Sequence, residues 1–178
     1  MRKPRTLRAG ASYHVMARAN RSEFILDSPL IKQIFLETVA RARKRYKVAL
    51  SNICIMDNHF HLMLRPLGST ALSRVMQWIL SVFAMKFNRT MGLRGHVWYD
   101  RFKSVLIASL RQFLAAFGYI DDNPVEAGIV SRPEDYPYGR QRLASTGPPG
   151  ILDPAGILEW LLFPMTRTAD LPSPGVQD

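Results

Sequence analysis

One short segment constrains the fold more than any other: in residues 59–65, large apolar side chains alternate with other residue types. Alternation with a period of two is typical of a β-strand that buries only one face. The buried face would hold Phe60, Leu62 and Leu64. His59 and His61 would then lie side by side on the opposite face, roughly 7 Å apart at the backbone.

Helical and strand patterns also alternate along the rest of the chain. Residues 48–56 predict a strand that forms a hairpin with residues 59–65, because the two residues between them favour a turn. We predict further strands at 12–19 and within 97–108, and helices at 29–47, 71–91 and from Leu110 to about Asp122. This order predicts an α+β sandwich in which helices pack on an antiparallel sheet.

The chain is expected to contain one domain followed by a tail. Its length of 178 residues suits a single core, which we assign to residues 1–140. Residues 141–178 are rich in proline and include a Gly147-Pro-Pro-Gly150 break. We therefore expect this tail to be partly irregular, with a short helix at 157–163.

The charge of the chain points to a polyanionic partner. The first 118 residues carry 20 Lys and Arg against 5 Asp and Glu, and the net charge of the whole chain is +10. Such a surface attracts nucleic acid through phosphate contacts, although a basic surface can also be simply well solvated. No apolar run approaches the roughly 18 residues of a membrane span, no signal peptide is evident, and Cys54 has no disulfide partner. We therefore expect a soluble cytoplasmic protein.

Three side chains are candidates for chemistry. The imidazoles of His59 and His61 could converge on one divalent metal ion in an open site, or the pair could be a polar sheet face without a ligand. Tyr119 lies opposite the apolar stripe of its predicted helix. That stripe consists of Leu110, Phe113, Leu114 and Phe117. A tyrosine on the other side is either a functional hydroxyl or an exposed side chain without a role.

Several segments resemble, in the same order, the REP-associated tyrosine transposases, which are relatives of the small insertion-sequence transposases. His59-Phe-His61 is similar to their HUH motif (His, hydrophobic, His), and residues 119–130 resemble their tyrosine segment. Shorter matches are Tyr13-His-Val, Met56-Asp-Asn-His-Phe-His, Gly95-His-Val-Trp-Tyr-Asp-Arg-Phe-Lys-Ser104 and Pro133-Glu-Asp-Tyr-Pro137. The resemblance covers about residues 10–140.

The resemblance implies a ferredoxin-like or RRM-like fold and an enzyme that cuts and rejoins single-stranded DNA through a phosphotyrosine link. Tyr119 matches the nucleophile. The positions that match ligands of Mg²⁺ or Mn²⁺ are His59, His61 and Asn123. Asp121 or Asp122 could replace the last of these. The implied substrate is a hairpin-forming palindromic repeat, bound by a monomer or a homodimer at the bacterial nucleoid.

Basic and aromatic side chains are candidates for DNA contacts. We expect this role for Arg18, Arg21, Arg43, Lys44, Arg45, Trp98, Arg101 and Lys103. The remaining histidines, His14 and His96, are expected to be structural or loop residues.

Three other functions stay open on the sequence alone. The protein could bind DNA hairpins without cleaving them, because Asp121, Asp122 and Glu126 crowd the tyrosine. It could be an RRM-like module that binds RNA. It could also be a metal-dependent phosphodiesterase that uses water, in which case Tyr119 would be dispensable.

Overall fold

A computed structural model of the chain describes Arg8 and residues 10–153. The helices and strands are β1 (Ser12–Arg18), α1 (Pro29–Arg45), β2 (Val48–Ile55), β3 (His59–Pro66), α2 (Leu72–Met91), β4 (Lys103–Ile107), α3 (Leu110–Glu126) and α4 (Arg140–Thr146). The short helix expected at 157–163 lies outside the described residues.

The four strands form one antiparallel sheet in the order β2-β3-β1-β4. Together with the βαββαβ succession of the first six elements, this order is that of a ferredoxin-like sandwich. The α+β fold predicted from the sequence is confirmed. The hairpin of β2 and β3 is also confirmed, with Ile55 opposite Phe60 next to the turn.

The first face of the sheet carries the main hydrophobic core. Phe60, Leu62 and Leu64 of β3 are buried there against α1 and α2, as the alternation predicts. An aromatic cluster forms behind the histidine-bearing end of β3. Its ring centroids are 4.5 Å apart for Phe35 and Phe60, 5.5 Å for Phe60 and Trp98, and 5.3 Å for Phe83 and Trp98.

The structure gives Trp98 a packing contact that the sequence did not predict. Its ring packs against three core phenylalanines, and its indole N–H donates a hydrogen bond to the carbonyl oxygen of Leu80 at 3.1 Å. A backbone bridge between Ala19 and Trp98 holds this part of the chain at the end of β1. Trp98 is partly buried, and packing of the large indole against the core is favourable, so the ring contributes to the fold.

The second face of the sheet is covered by α3 over β2 and β3, so every residue of β2 is buried. A smaller hydrophobic cluster fills this interface. It contains Cys54, Met56, Met63, Ile107, Phe113, Ile120 and Tyr136. A β-bulge interrupts β2 between Leu50 and Asn52, where the extra residue Ser51 has no partner on β3. The bulge places Leu50 and Asn52 on opposite faces of the sheet.

Helix α3 continues past the end that the sequence predicts near Asp122 and ends at Glu126. Proline disfavours helical geometry in the preceding residue and removes one hydrogen-bond donor. In this helix Asn123 and Pro124 are both buried against the sheet, and this packing outweighs the local preference.

The chain after residue 140 also contributes to the packing. Leu143 of α4 and Ile151 belong to the main core, and the carboxylate of Asp153 pairs with Arg43 at 2.6 Å. The helix α4 was not predicted, because Leu143 is its single large apolar residue and gives no helical periodicity. Within the described part of the chain, no helix has both the length and the apolar character to cross a membrane.

Replacement of Trp98 by alanine is expected to lower the free energy of unfolding by about 3 kcal/mol, because the core loses a large aromatic ring. Tyr99→Ala is the matched control, since the neighbouring ring is 74% exposed and its loss should change stability by no more than ~0.5 kcal/mol. Urea unfolding of the two variants measures the difference. Equal effects would contradict the placement of Trp98 in the core.

Candidate active site

Four of the residues predicted from the sequence lie together where α3 crosses β3. His59 and His61 share the second face of the sheet, with ring centroids 4.9 Å apart. Tyr119 and Asn123 are one helical turn apart on α3 and face these histidines. The ring of Tyr119 is 5.6 Å from that of His61, and the amide oxygen of Asn123 is 3.4 Å from Nε2 of His59.

His61 is held as a neutral imidazole with one nitrogen unused. The residue is only 1% exposed, and burial, with further contributions from His59, His14 and Arg18, lowers its pKa to about 3. Its Nδ1 lies 2.8 Å from Nε2 of His14. Its Nε2 is buried and has no hydrogen-bond partner among the described residues. A buried polar atom without a partner is unusual and calls for a ligand or another explanation.

His59 is also neutral, because burial and the nearby charge of Arg18 lower its pKa against a smaller opposing effect of Asn123. Each of its two ring nitrogens faces an amide oxygen. Oδ1 of Asn58 is 2.7 Å from Nδ1, and Oδ1 of Asn123 is 3.4 Å from Nε2. A neutral imidazole has a single N–H, so it can donate to only one of them. If the proton is on Nδ1, beside the closer oxygen, a lone pair of Nε2 faces a lone pair of Asn123.

This donor set fits a divalent cation. Both Nδ1 atoms have partners of their own, a pattern that leaves Nε2 of each ring available as a ligand. The amide oxygen of Asn123, which is 8% exposed, would add a third donor from α3. In residues 10–153 no three His, Cys, Asp or Glu side chains are grouped as a metal site. The candidate ligands are two imidazoles and one neutral amide oxygen.

The two alternative third ligands are placed differently from Asn123. The carboxylate of Asp121 accepts a hydrogen bond from Nδ2 of Asn52 at 2.9 Å, on the side of α3 that faces β2. Burial raises the pKa of this carboxyl, although the bond from Asn52 opposes the shift. Asp122 and Glu126 are both exposed. The acidic residues near the tyrosine therefore face away from the two histidines or into solvent.

Helix α3 is fixed at both its start and its middle. The hydroxyl of Ser109 caps the helix by accepting a hydrogen bond from the backbone N–H of Gln112. Nδ2 of the fully buried Asn52 donates to the carbonyl oxygen of Phe117 at 3.1 Å as well as to Asp121. These bonds bracket Tyr119 in the sequence and set its position along the sheet.

The ring of Tyr119 is 46% exposed and rests edge-on against two imidazoles. It is accessible to a large substrate on one side and close to a candidate cation site on the other. A phenol hydroxyl becomes an effective nucleophile when an adjacent cation or base activates it. The geometry can therefore support nucleophilic attack on a phosphate group.

His14, which was expected to be a structural or loop residue, also lies at this site. The structure brings its Nε2 to His61 and places its ring 5.9 Å from that of Tyr119. Alternation in β1 could have given a signal, because Tyr13 and Val15 are buried in the core and His14 therefore faces the opposite side. The pairing of β1 with β3, which makes the contact, is not visible in the sequence.

Four of the eight residues expected to contact DNA line one groove beside the histidines. The groove has a volume of about 630 Å³ and runs along the part of β1 and β4 that α3 leaves open. Its walls are formed by Met16, Ala17, Arg18, Arg21, Ser22, Tyr99, Asp100, Arg101 and Lys103. It is strongly basic, with one exposed aromatic ring, that of Tyr99.

The other basic residues expected to contact DNA lie elsewhere. Arg43, Lys44 and Arg45 are in the last turn of α1, at the end of the sheet where β2 begins. The register of the strands places that end about 23 Å from His59, at roughly 3.3 Å per residue. Arg43 is paired there with Asp153. Of the eight residues expected to contact DNA, four therefore line the groove, three lie at the end of α1, and Trp98 packs against the main core.

Comparison with known proteins gives a family and a fold. A search of curated proteins finds no match. The structure is similar to that of a REP-associated tyrosine transposase bound to a REP hairpin, with a TM-score of 0.69 and 20% sequence identity, covering 85% of this chain and 89% of that one. A proposed transposase from Deinococcus radiodurans R1 matches more weakly, with a TM-score of 0.46 and 14% identity, over 68% of this chain and 97% of that one.

The family follows from the sequence match. The model of the IS200-like transposases matches residues 8–123, which is more than half of the chain and includes both histidines, the tyrosine and the asparagine of the site. The resemblance seen in the sequence is thereby confirmed, and the chain belongs to the IS200-like transposase family.

Proposed function

We propose that this protein is a metal-dependent endonuclease and strand transferase that acts on single-stranded DNA, with Tyr119 as the nucleophile. The observation that carries the proposal is the contact between an exposed tyrosine ring and His61, whose buried Nε2 has no partner among the described residues. The family of the chain supports DNA as the substrate.

His59, His61 and Asn123 would hold Mg²⁺ or Mn²⁺. When bound, such an ion supplies a Lewis acid that polarises the scissile phosphate. Burial and the charge of Arg18 keep both imidazoles unprotonated and therefore able to act as ligands. The side chain of Arg18 lines the groove next to the site, where it can pair with a phosphate of the bound strand.

In the proposed reaction the hydroxyl oxygen of Tyr119 attacks a backbone phosphorus atom. A bond forms between the tyrosine oxygen and phosphorus, and the bond between phosphorus and the 3′ oxygen breaks. The phenol loses one proton and the leaving 3′ oxygen gains one. The products are a 5′-phosphotyrosine and a free 3′-hydroxyl. Attack by another 3′-hydroxyl reverses the step, so strands can be exchanged without ATP.

The substrate is proposed to be a DNA hairpin with a single-stranded flank. The structurally similar transposase described above is bound to a REP hairpin, and the same class of ligand suits the basic surfaces of this chain. The active form is proposed to be a monomer or a homodimer. Such an enzyme would work in the bacterial cytoplasm, at the nucleoid.

Replacement of Tyr119 by phenylalanine is expected to abolish the covalent protein–DNA adduct, because the attacking hydroxyl is lost while the ring is kept. The assay is a denaturing gel with a labelled hairpin substrate in Mg²⁺ or Mn²⁺. Tyr99→Phe removes a hydroxyl from the other exposed tyrosine of this region and should leave the adduct intact. An adduct formed by Tyr119→Phe would refute the assignment; hairpin binding without cleavage by the wild type would indicate an impaired enzyme.

The third ligand can be identified by Mn²⁺ affinity. Mutation of a residue that only supports a metal ligand lowers metal affinity 10- to 100-fold. Asn123→Leu removes a ligand itself, so we expect a loss at the upper end of this range, about 100-fold in Mn²⁺ affinity. Asp121→Asn and Asp122→Asn are matched controls that remove a charge from the same helix and should bind Mn²⁺ nearly as the wild type does. Titration followed by the electron paramagnetic resonance of free Mn²⁺ measures the constants. A larger loss in either aspartate variant would reassign the ligand.

The groove is expected to bind the single-stranded part of the substrate. Arg101→Gln combined with Lys103→Gln should reduce the slope of log affinity against log salt concentration by about 1.4, since each phosphate contact on a single strand contributes roughly 0.7. Fluorescence anisotropy with an oligonucleotide that cannot form a hairpin measures this slope. Lys44→Gln combined with Arg45→Gln removes the same charge at the far end of the sheet. If that control lowers the slope more, the single strand follows the other surface.

A further inference from the structure

We propose that His14 is a positioning residue, which holds His61 in the tautomer that leaves Nε2 of His61 free to bind a metal ion. The inference rests on the proposed function of the site, because it concerns a ligand of the proposed cation. His14 lies on β1, the neighbour of β3, two residues away from Met16, the residue directly opposite His61. Diagonal neighbours across two strands are within reach of each other for side chains of this size.

Only one direction of the hydrogen bond between the rings of His14 and His61 leaves a lone pair on Nε2 of His61 for a metal ion. Nε2 of His14 and Nδ1 of His61 are 2.8 Å apart, so one of them carries the proton and the other accepts it. If His14 donated, the single N–H of neutral His61 would be on Nε2. That atom is buried and makes no hydrogen bond of normal geometry in the described structure, and an N–H there would repel a cation.

If His61 donates instead, its Nδ1 proton is satisfied by His14 and its Nε2 presents a lone pair. The same arrangement holds for His59, whose Nδ1 faces the acceptor oxygen of Asn58 at 2.7 Å. Both candidate ligands thus have an acceptor at Nδ1. For His59 this acceptor is the amide oxygen of Asn58, and for His61 it is the imidazole of His14. A supporting acceptor on Nδ1 fixes both the tautomer and the ring orientation of a metal-binding histidine.

Packing alone does not explain a histidine at this position. His14 is only partly buried, and Val105, its partner on β4, is 63% exposed, so this part of the sheet face is open to solvent. The ring of His14 also contacts that of Tyr119, at 5.9 Å between centroids. An apolar ring could preserve that contact, whereas only a hydrogen-bond acceptor can preserve the bond to His61. This difference separates a packing role from a positioning role.

The first test uses the wild-type protein without metal. Long-range ¹H–¹⁵N correlation spectra of the histidine side chains report which ring nitrogen carries the proton. We expect His61 to be protonated on Nδ1, and His14 to be unprotonated on Nε2. A spectrum in which His61 carries its proton on Nε2 would overturn the proposal.

The second test measures Mn²⁺ affinity in two variants, in the absence of DNA. His14→Phe keeps an aromatic ring beside Tyr119 but has no acceptor, and we expect it to bind Mn²⁺ 10- to 100-fold more weakly. His14→Gln places an amide oxygen near the position of Nε2 and should recover most of the affinity. His96→Phe, a change at an exposed loop histidine, is the control and should bind as the wild type does.

The outcomes separate the two proposals. Wild-type affinity in His14→Phe, or an equal loss in His14→Phe and His14→Gln, would overturn the role of His14 and leave the proposed enzyme intact. A wild-type protein that binds no Mn²⁺ but forms the adduct would overturn the metal site and the role of His14 with it. If His14→Phe does not fold, the tautomer of the wild type decides the question.

Discussion

The burial of one face of β3 determines where everything else in this protein can lie. Phe60 packs within the aromatic cluster of the main core, and the residues on either side of it are therefore forced onto the opposite face. A shift of the strand by one residue would place both imidazoles in the apolar core and expose Phe60, so the hydrophobic effect fixes the register strongly. The position of the two candidate ligands follows from packing rather than from any interaction between them.

The second half of the site depends on a polar contact in an apolar interface. A bulge turns Asn52 toward α3, where it is fully buried and holds the backbone and a side chain of that helix. Burial of an amide is favourable only when its hydrogen bonds are made, so the helix has one register in which Asn52 is satisfied. That register presents Tyr119 and Asn123 to the histidines.

Most of the fold could be predicted from the sequence, because alternation and helical periodicity are local signals. The family motifs also identified the histidines and the tyrosine. Contacts between distant strands are different: the approach of His14 to His61 requires the pairing of β1 with β3, and no local pattern encodes it. The packing of Trp98 against the core and the end of α3 were missed for a related reason, since both depend on tertiary contacts, which in α3 outweigh the effect of Pro124.

The sheet separates two hydrophobic clusters of unequal size, and α3, the helix that carries Tyr119, contributes Phe113 and Ile120 to the smaller one. Release of α3 would expose that smaller cluster and the histidine-bearing face of the sheet, and would leave the main core on the other face buried. Native proteins open in such units, each at a free energy set by the surface that the unit buries. A DNA end linked to this helix would therefore be attached to an element that packs on the smaller cluster, while the sheet that bears the histidines is held by the larger one.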